Sequence, residues 1–187
     1  MSRVCVFCGS KKGIRPLYAE VAARLGRRLA GRGHDLVYGG GATGLMGVVA
    51  DSILEAGGQA IGVIPRSMAT REVAHPGLTR MHVVGTMHER KALMAELSDA
   101  FVALPGGYGT FEELLEMITW AQLGIHRKPV GLLNAGGYFD PLVEMFDRAV
   151  QEGFVRPKYR SLCRVGAGVD ELLAELESGR GEICRAK

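Results

Sequence analysis

The sequence predicts a doubly wound, Rossmann-like α/β fold: a mostly parallel sheet of about seven strands flanked by helices. Two observations carry this. Short apolar runs alternate with helical patterns along the whole chain, and the runs are apolar at consecutive positions. A strand needs consecutive apolar residues when both faces of a parallel sheet are covered. Arg3–Cys8 is the first such run, closed by the Gly9–Ser10 turn, and helical spacing follows over Tyr18–Ala30. Asp35–Tyr38 runs into three glycines, and Leu45–Glu55 is the next helix, leading to the strand Ala60–Ile64. The connection Pro65–Arg80 is long, with two prolines and a mixture of Arg, Glu and His, the make-up of a lid or binding loop. Beyond it the strands Met81–Val84, Ala100–Leu104, Val130–Leu133 and Leu162–Val165 alternate with helices over Met87–Leu97, Phe111–Leu123, Pro141–Gln151 and Asp170–Glu177.

At 187 residues, 47% hydrophobic and 23% charged, the chain is expected to form one domain over 1–187 with a sizeable core. A net charge of +3 with cations spread along the chain excludes a basic nucleic-acid arm. The apolar runs are far shorter than the roughly 20 residues of a membrane helix. With Met1–Ser2–Arg3 leading directly into a strand, a signal peptide is not expected either. The expectation is a soluble, cytoplasmic protein. Cys5 and Cys8 have CxxC spacing on a strand, where side chains three apart face opposite ways, and Cys163 and Cys184 stand alone. His34, His75, His82, His88 and His126 show no tight ligand spacing, so no metal site is expected.

In an open parallel sheet ligands bind beyond the carboxyl ends of the strands, and four segments there are informative. Gly39, Gly41 and Gly44 satisfy GxGxxG between a strand and a helix, where glycine admits a tight turn and a phosphate close to the backbone. A dinucleotide site also wants an acidic residue about 20 positions on. The chain has Ile64–Pro65–Arg66 there, whose arginine suits a 2′-phosphate. A turn serving the fold alone and a nucleotide phosphate site are the other readings. Leu104–Glu113 (LPGGYGTFEE) is a second glycine cradle opening into a helix, where free amides and the dipole favour an anion. Thr110 and Glu113 also fit a capping box, although Glu112, Glu113 and Glu116 together are more than a cap needs.

Thr86 and Glu89 form another capping box, and Met87, Arg90, Met94 and Leu97 share one helical face. An arginine on an apolar face either snorkels to the rim, joins a structural ion pair, or aims its forked donors at an anion. Glu113 is one candidate partner. Phe7–Cys8–Gly9–Ser10 ends the first strand at the same sheet edge.

PGGYGTFEE at Pro105–Glu113, GGGATGLMG at Gly39–Gly47 and MHERK at Met87–Lys91 together resemble the Lonely Guy (LOG) family. Its members are cytokinin riboside 5′-monophosphate phosphoribohydrolases, long labelled lysine decarboxylases. The similarity runs from FCGS through TWAQLGIH at Thr119–His126 to EGF at Glu152–Phe154. It implies Arg90 and Glu113 as the catalytic pair. It also implies nucleotide contacts from Glu72, Arg90, Lys91, Thr119 and the loop Gly107, Tyr108, Gly109, Thr110, Phe111, Glu112, Glu113, with Ser10 and Thr43 lining the same cleft. A homodimer with each site near the subunit interface is implied too. Leu114, Leu115, Met117, Ile118 and Trp120 make the helix of Phe111–Leu123 apolar nearly all round, so it is expected to be buried on several sides. Two departures stand out: Lys11 occupies a place where the family has a second serine, and Val73–Arg80 is short and less polar than in plant members.

The implied reaction is hydrolysis of the N-glycosidic bond of a purine nucleoside 5′-monophosphate, plain or N6-modified, with no metal or organic cofactor. Its ribosyl centre becomes oxocarbenium-like, which a nearby carboxylate stabilises. A non-catalytic nucleotide-binding or carrier protein on the same fold is the alternative, as in molybdenum-cofactor carriers. A pyridoxal-phosphate decarboxylase would need Lys91 as its Schiff-base lysine.

Overall fold

The computed structural model describes residues 2–69 and 73–178. Seven strands form one parallel sheet: β1 (Ser2–Phe7), β2 (His34–Tyr38), β3 (Ala60–Pro65), β4 (Arg80–Val84), β5 (Ala100–Ala103), β6 (Val130–Leu133) and β7 (Cys163–Gly166). The helices are α1 (Pro16–Gly31), α2 (Gly44–Glu55), α3 (Met87–Leu97), α4 (Tyr108–Gln122), α5 (Asp140–Gln151), α6 (Pro157–Arg160) and α7 (Val169–Ser178). The spatial order is β4-β3-β2-β1-β5-β6-β7. From β1 the chain winds outward to β4, then α3 carries it back across the sheet to β5. The winding reverses between β1 and β5, the switch point at which such sheets open a crevice.

Alternation along β1 feeds a core on each face. Val4, Val6 and Cys8 pack with Leu25 and Leu29 of α1, Val49 and Ile53 of α2 and Leu172 of α7. Cys5 and Phe7 pack on the other face with Met94 of α3, Leu114 and Met117 of α4 and Phe139. Each fully buried leucine or phenylalanine contributes roughly 2 kcal/mol of apolar burial. Cys5 and Cys8 are therefore buried, unpaired and on opposite faces, with burial pushing both thiols up. Cys163 is buried as well, and Cys184 lies outside the described residues. Among the described residues no helix is long and apolar enough to cross a membrane, and no group of His, Cys, Asp and Glu is placed to hold a metal.

Element ends follow local chemistry. Thr86 caps α3, its hydroxyl accepting from Glu89 N at 3.1 Å, an interaction worth about 1 kcal/mol. Glu89 turns back to Gly85 N at 2.8 Å rather than to Thr86 itself. The capping box expected at Thr110 is absent. Gly107 is the N-cap of α4, and Thr110 sits inside the first turn at 3% exposure. The Pro105–Gly107 turn already bends the chain, so the helix starts before the threonine. Nor is α4 buried all round: Leu114 and Met117 face the core, while Leu115 remains 41% exposed. The single turn α6 has no periodic apolar pattern to announce it, and a bond from Tyr159 N to Arg156 O at 2.9 Å helps hold it.

Candidate active site

Three loops at the carboxyl edge of the sheet are tied together by their backbones. The turn after β1 is the knot: Gly9 N donates to Pro105 O at 3.1 Å and Leu45 N donates to Gly9 O at 2.9 Å. Thr43 Oγ1 adds a 3.4 Å bond to Ser10 O, and both side chains stand exposed at the rim. The loop after β3 closes over the same place. Ala42 N donates to Val73 O at 2.8 Å and His75 N to Gly40 O at 2.9 Å.

The α4 N-terminus faces this edge without a side-chain cap. Its first helical bond runs from Phe111 N to Gly107 O at 3.1 Å, so the amides of Tyr108, Gly109 and Thr110 precede any intrahelical partner. Gly107, Tyr108 and Gly109 are exposed. Free amides with the dipole behind them make a cradle for a phosphate. The Phe111 side chain turns inward instead, its ring edge-on to Phe139 with centroids 6.3 Å apart.

Arg90 of α3 meets Glu113 of α4 beside that cradle, Nη1 lying 3.0 Å from Oε1 with side chains 14% and 11% exposed. Arg90 Nε donates to Val63 O at 3.1 Å, which fixes the guanidinium plane against β3. The seat of the guanidinium is Gly39, where a Cβ would lie 2.0 Å from Arg90 Nη2. Neither Arg90 Nη2 nor Glu113 Oε2 has a hydrogen-bond partner among the described residues. Burial raises the Glu113 carboxyl above its ordinary range, Arg90 opposes the rise, and Glu112 adds to it. A carboxylate raised in this way is a stronger base at neutral pH, and its free oxygen can reach a water or a sugar.

The neighbouring Lys91 is committed to protein carboxylates. Its ammonium bonds Glu112, and Glu116 at 3.0 Å. Burial pulls the Lys91 pKa down, but these two carboxylates outweigh it and leave the group above its ordinary value. The second oxygen of Glu116, Oε2, is buried without a partner. Thr119 bonds Leu115 O within α4 at 2.7 Å. It lies six residues beyond Glu113, about 9 Å along the axis, and lines a hollow with Ile118, Phe146 and Val155 instead of the phosphate cradle. Glu72 lies outside the described residues.

Sequence reasoning missed two residues. Gly39 reads as part of a phosphate loop, yet it serves as the arginine's seat. Tyr138, between β6 and α5, donates its hydroxyl to Gly106 O. The only local signal was its place after a strand at the same sheet edge.

A family model described as "Possible lysine decarboxylase" matches residues 46–176. The cytokinin riboside 5′-monophosphate phosphoribohydrolase LOG of Oryza sativa subsp. japonica is 53% identical over 175 residues, covering 94% of this chain and 72% of that protein. The enzyme of the same name, LOG7, from Arabidopsis thaliana is 52% identical over 181 residues, covering 97% and 83%. Among solved structures, the molybdenum cofactor carrier protein of Chlamydomonas reinhardtii is 26% identical with a TM-score of 0.71 over 96% of this chain and 98% of its own. The molybdenum cofactor binding protein of Rippkaea orientalis, 21% identical, has a TM-score of 0.72, with 95% and 96% covered, and shares the fold.

Proposed function

From the membership of this chain in the LOG family, the one matched by the lysine decarboxylase model, we infer that it hydrolyses the N-glycosidic bond of adenosine 5′-monophosphates, including those with cytokinin side chains. The products are the free base and ribose 5-phosphate. One observation carries the assignment of the chemistry: the buried Arg90–Glu113 pair beside the uncapped start of α4.

The amides of Gly107–Thr110 hold the 5′-phosphate, with Ser10 and Thr43 at the rim, and this remote binding positions the anomeric carbon. As the C1′–N bond lengthens, positive charge on the ribosyl centre is met by the Glu113 carboxylate. Water then adds its oxygen to C1′, and the proton it loses through Glu113 ends on the released base. Arg90 holds Glu113 by Nη1, with its Nη2 seated against Gly39. The whole chain acts as one nucleotide-binding catalytic domain. A second copy covers exposed apolar side chains such as Leu115 of α4 and Met145 of α5.

A decarboxylase using Lys91 as its Schiff base does not fit the geometry. Such a lysine must lose its proton readily, whereas the two carboxylates hold Lys91 charged. The carrier reading has the likeness to the Chlamydomonas protein in its favour. Chromatography of products from AMP and from isopentenyladenosine monophosphate decides between the two. Free base released by the wild type but not by Glu113→Ala supports the hydrolase. Tight binding of both nucleotides without base release would leave the carrier.

A further inference from the structure

The phosphate cradle contains two consecutive glycines, and the peptide plane between them decides which way the Gly107 amide points. In a planar trans peptide the carbonyl oxygen and the next amide hydrogen point in opposite directions, and no cis bond occurs among the described residues. Tyr138 Oη donates to Gly106 O. With that oxygen held toward Tyr138, the Gly107 N–H points the other way, to the exposed side of the loop where α4 begins.

Packing restrains the two glycines unequally. A Cβ on Gly106 would lie 2.1 Å from Thr110 Oγ1 and 2.8 Å from Gly9 N, whereas one on Gly107 would meet nothing within 4 Å. A hollow of about 210 Å³ beside the loop, lined by Ser10, Lys11, Tyr18, Gly106, Gly107 and Tyr138, leaves room for the peptide to turn over. A turned peptide would aim the Gly106 carbonyl at the anion and repel it. Against that, Tyr138 is well braced. Its ring stands edge-on to Tyr18 at 5.6 Å and to Phe139 at 4.9 Å. Arg15 lies over the Tyr18 ring at 5.6 Å while bonding Gly136 O at 3.1 Å.

We propose that Tyr138 is a positioning residue for the phosphate: its hydroxyl locks the Gly106–Gly107 peptide with the Gly107 amide turned to the anion. This rests on the reading of Gly107–Thr110 as the 5′-phosphate cradle. Tyr138→Phe tests it, because the ring and its brace remain and one hydrogen bond is lost. Calorimetric titrations compare AMP with adenosine, which lacks the phosphate, on the otherwise wild-type protein, Tyr138→Phe and Tyr18→Phe, each also carrying Glu113→Ala so that AMP stays intact. In Tyr138→Phe the AMP Kd rises about tenfold, adenosine binding is unmoved, and with Glu113 in place the KM for AMP rises far more than kcat falls. Tyr18→Phe matches wild type, since only its ring is used. Equal weakening of AMP and adenosine would reduce Tyr138 to a general support, and an unmoved AMP Kd would overturn the lock. Because binding is read without turnover, a protein that releases no base yet binds AMP through Tyr138 would sink the hydrolase and keep the lock.

Discussion

Two helix pairs, one on each face of the sheet, are laced by the same kind of ion pair. On one face Arg24 and Arg28 of α1, with Arg32 just past its end, reach Asp170 and Glu177 of α7. On the other, Arg90 and Lys91 of α3 reach Glu112, Glu113 and Glu116 of α4. Water separates the two seams in behaviour. Arg24 and Asp170 are 57% and 36% exposed, against 14% and 11% for Arg90 and Glu113. The carboxyls answer with opposite signs. The hydrogen bond from Arg24, with Arg28 and Arg32 behind it, holds Asp170 below its ordinary value, while burial lifts Glu113 above it despite Arg90. An arginine neighbour lowers a carboxyl only where it outweighs desolvation, as at Asp170 and not at Glu113.

Breaking the buried seam should have the largest effect. Arg90→Ala is expected to lower base release from AMP on the order of a thousandfold or more, read by chromatography of adenine. It should also lower the unfolding temperature at neutral pH, because Glu113 loses its buried counter-charge. In acid that loss should shrink as Glu113 takes up a proton.

A pH series sharpens the contrast. The proposed mechanism requires ionised Glu113, so kcat/KM should fall as pH drops through its raised pKa, placing the acid limb above the ordinary 4.5. Stability moves the other way for this group. A raised carboxyl makes its contribution below the ordinary value and loses it as pH rises through the raised one. Asp170 is the reverse: its contribution is present above the ordinary 3.8 and lost as pH falls through the lowered value. Urea unfolding of wild type beside Glu113→Gln and Asp170→Asn across the acid range separates the two trends. Opposite slopes are expected, and parallel slopes would dissolve the distinction. The smallest effect belongs to Asp170→Asn itself, which should leave base release unchanged and lower the unfolding temperature slightly, by an amount that added salt removes.

Much of the fold was legible because buried parallel strands write themselves as unbroken apolar runs. Val130–Leu133 and Met87–Leu97 are found with the bounds the sequence predicts. The Arg90–Glu113 pair was half legible: an arginine on an apolar helical face demands a partner, and Glu113 stood among three carboxylates. What escaped depended on contacts distant in sequence. Tyr138 acts on a loop 32 residues away, and the space for the guanidinium at Gly39 exists only once α3 lies against the end of β2. At Thr110 a local pattern misled, since the turn through Gly107 had already started the helix.

The crossover made by α3 also has a consequence in time. The strands β1 to β3, with the Gly39 loop, form neighbouring pairs early in the chain, whereas Arg90 arrives on the segment that leaves edge strand β4 and returns past β1 to β5. Such long-range pairing is slow to form. During refolding, secondary structure should therefore recover before catalysis does, and the return of base release marks the docking of α3 as the step that completes the enzyme.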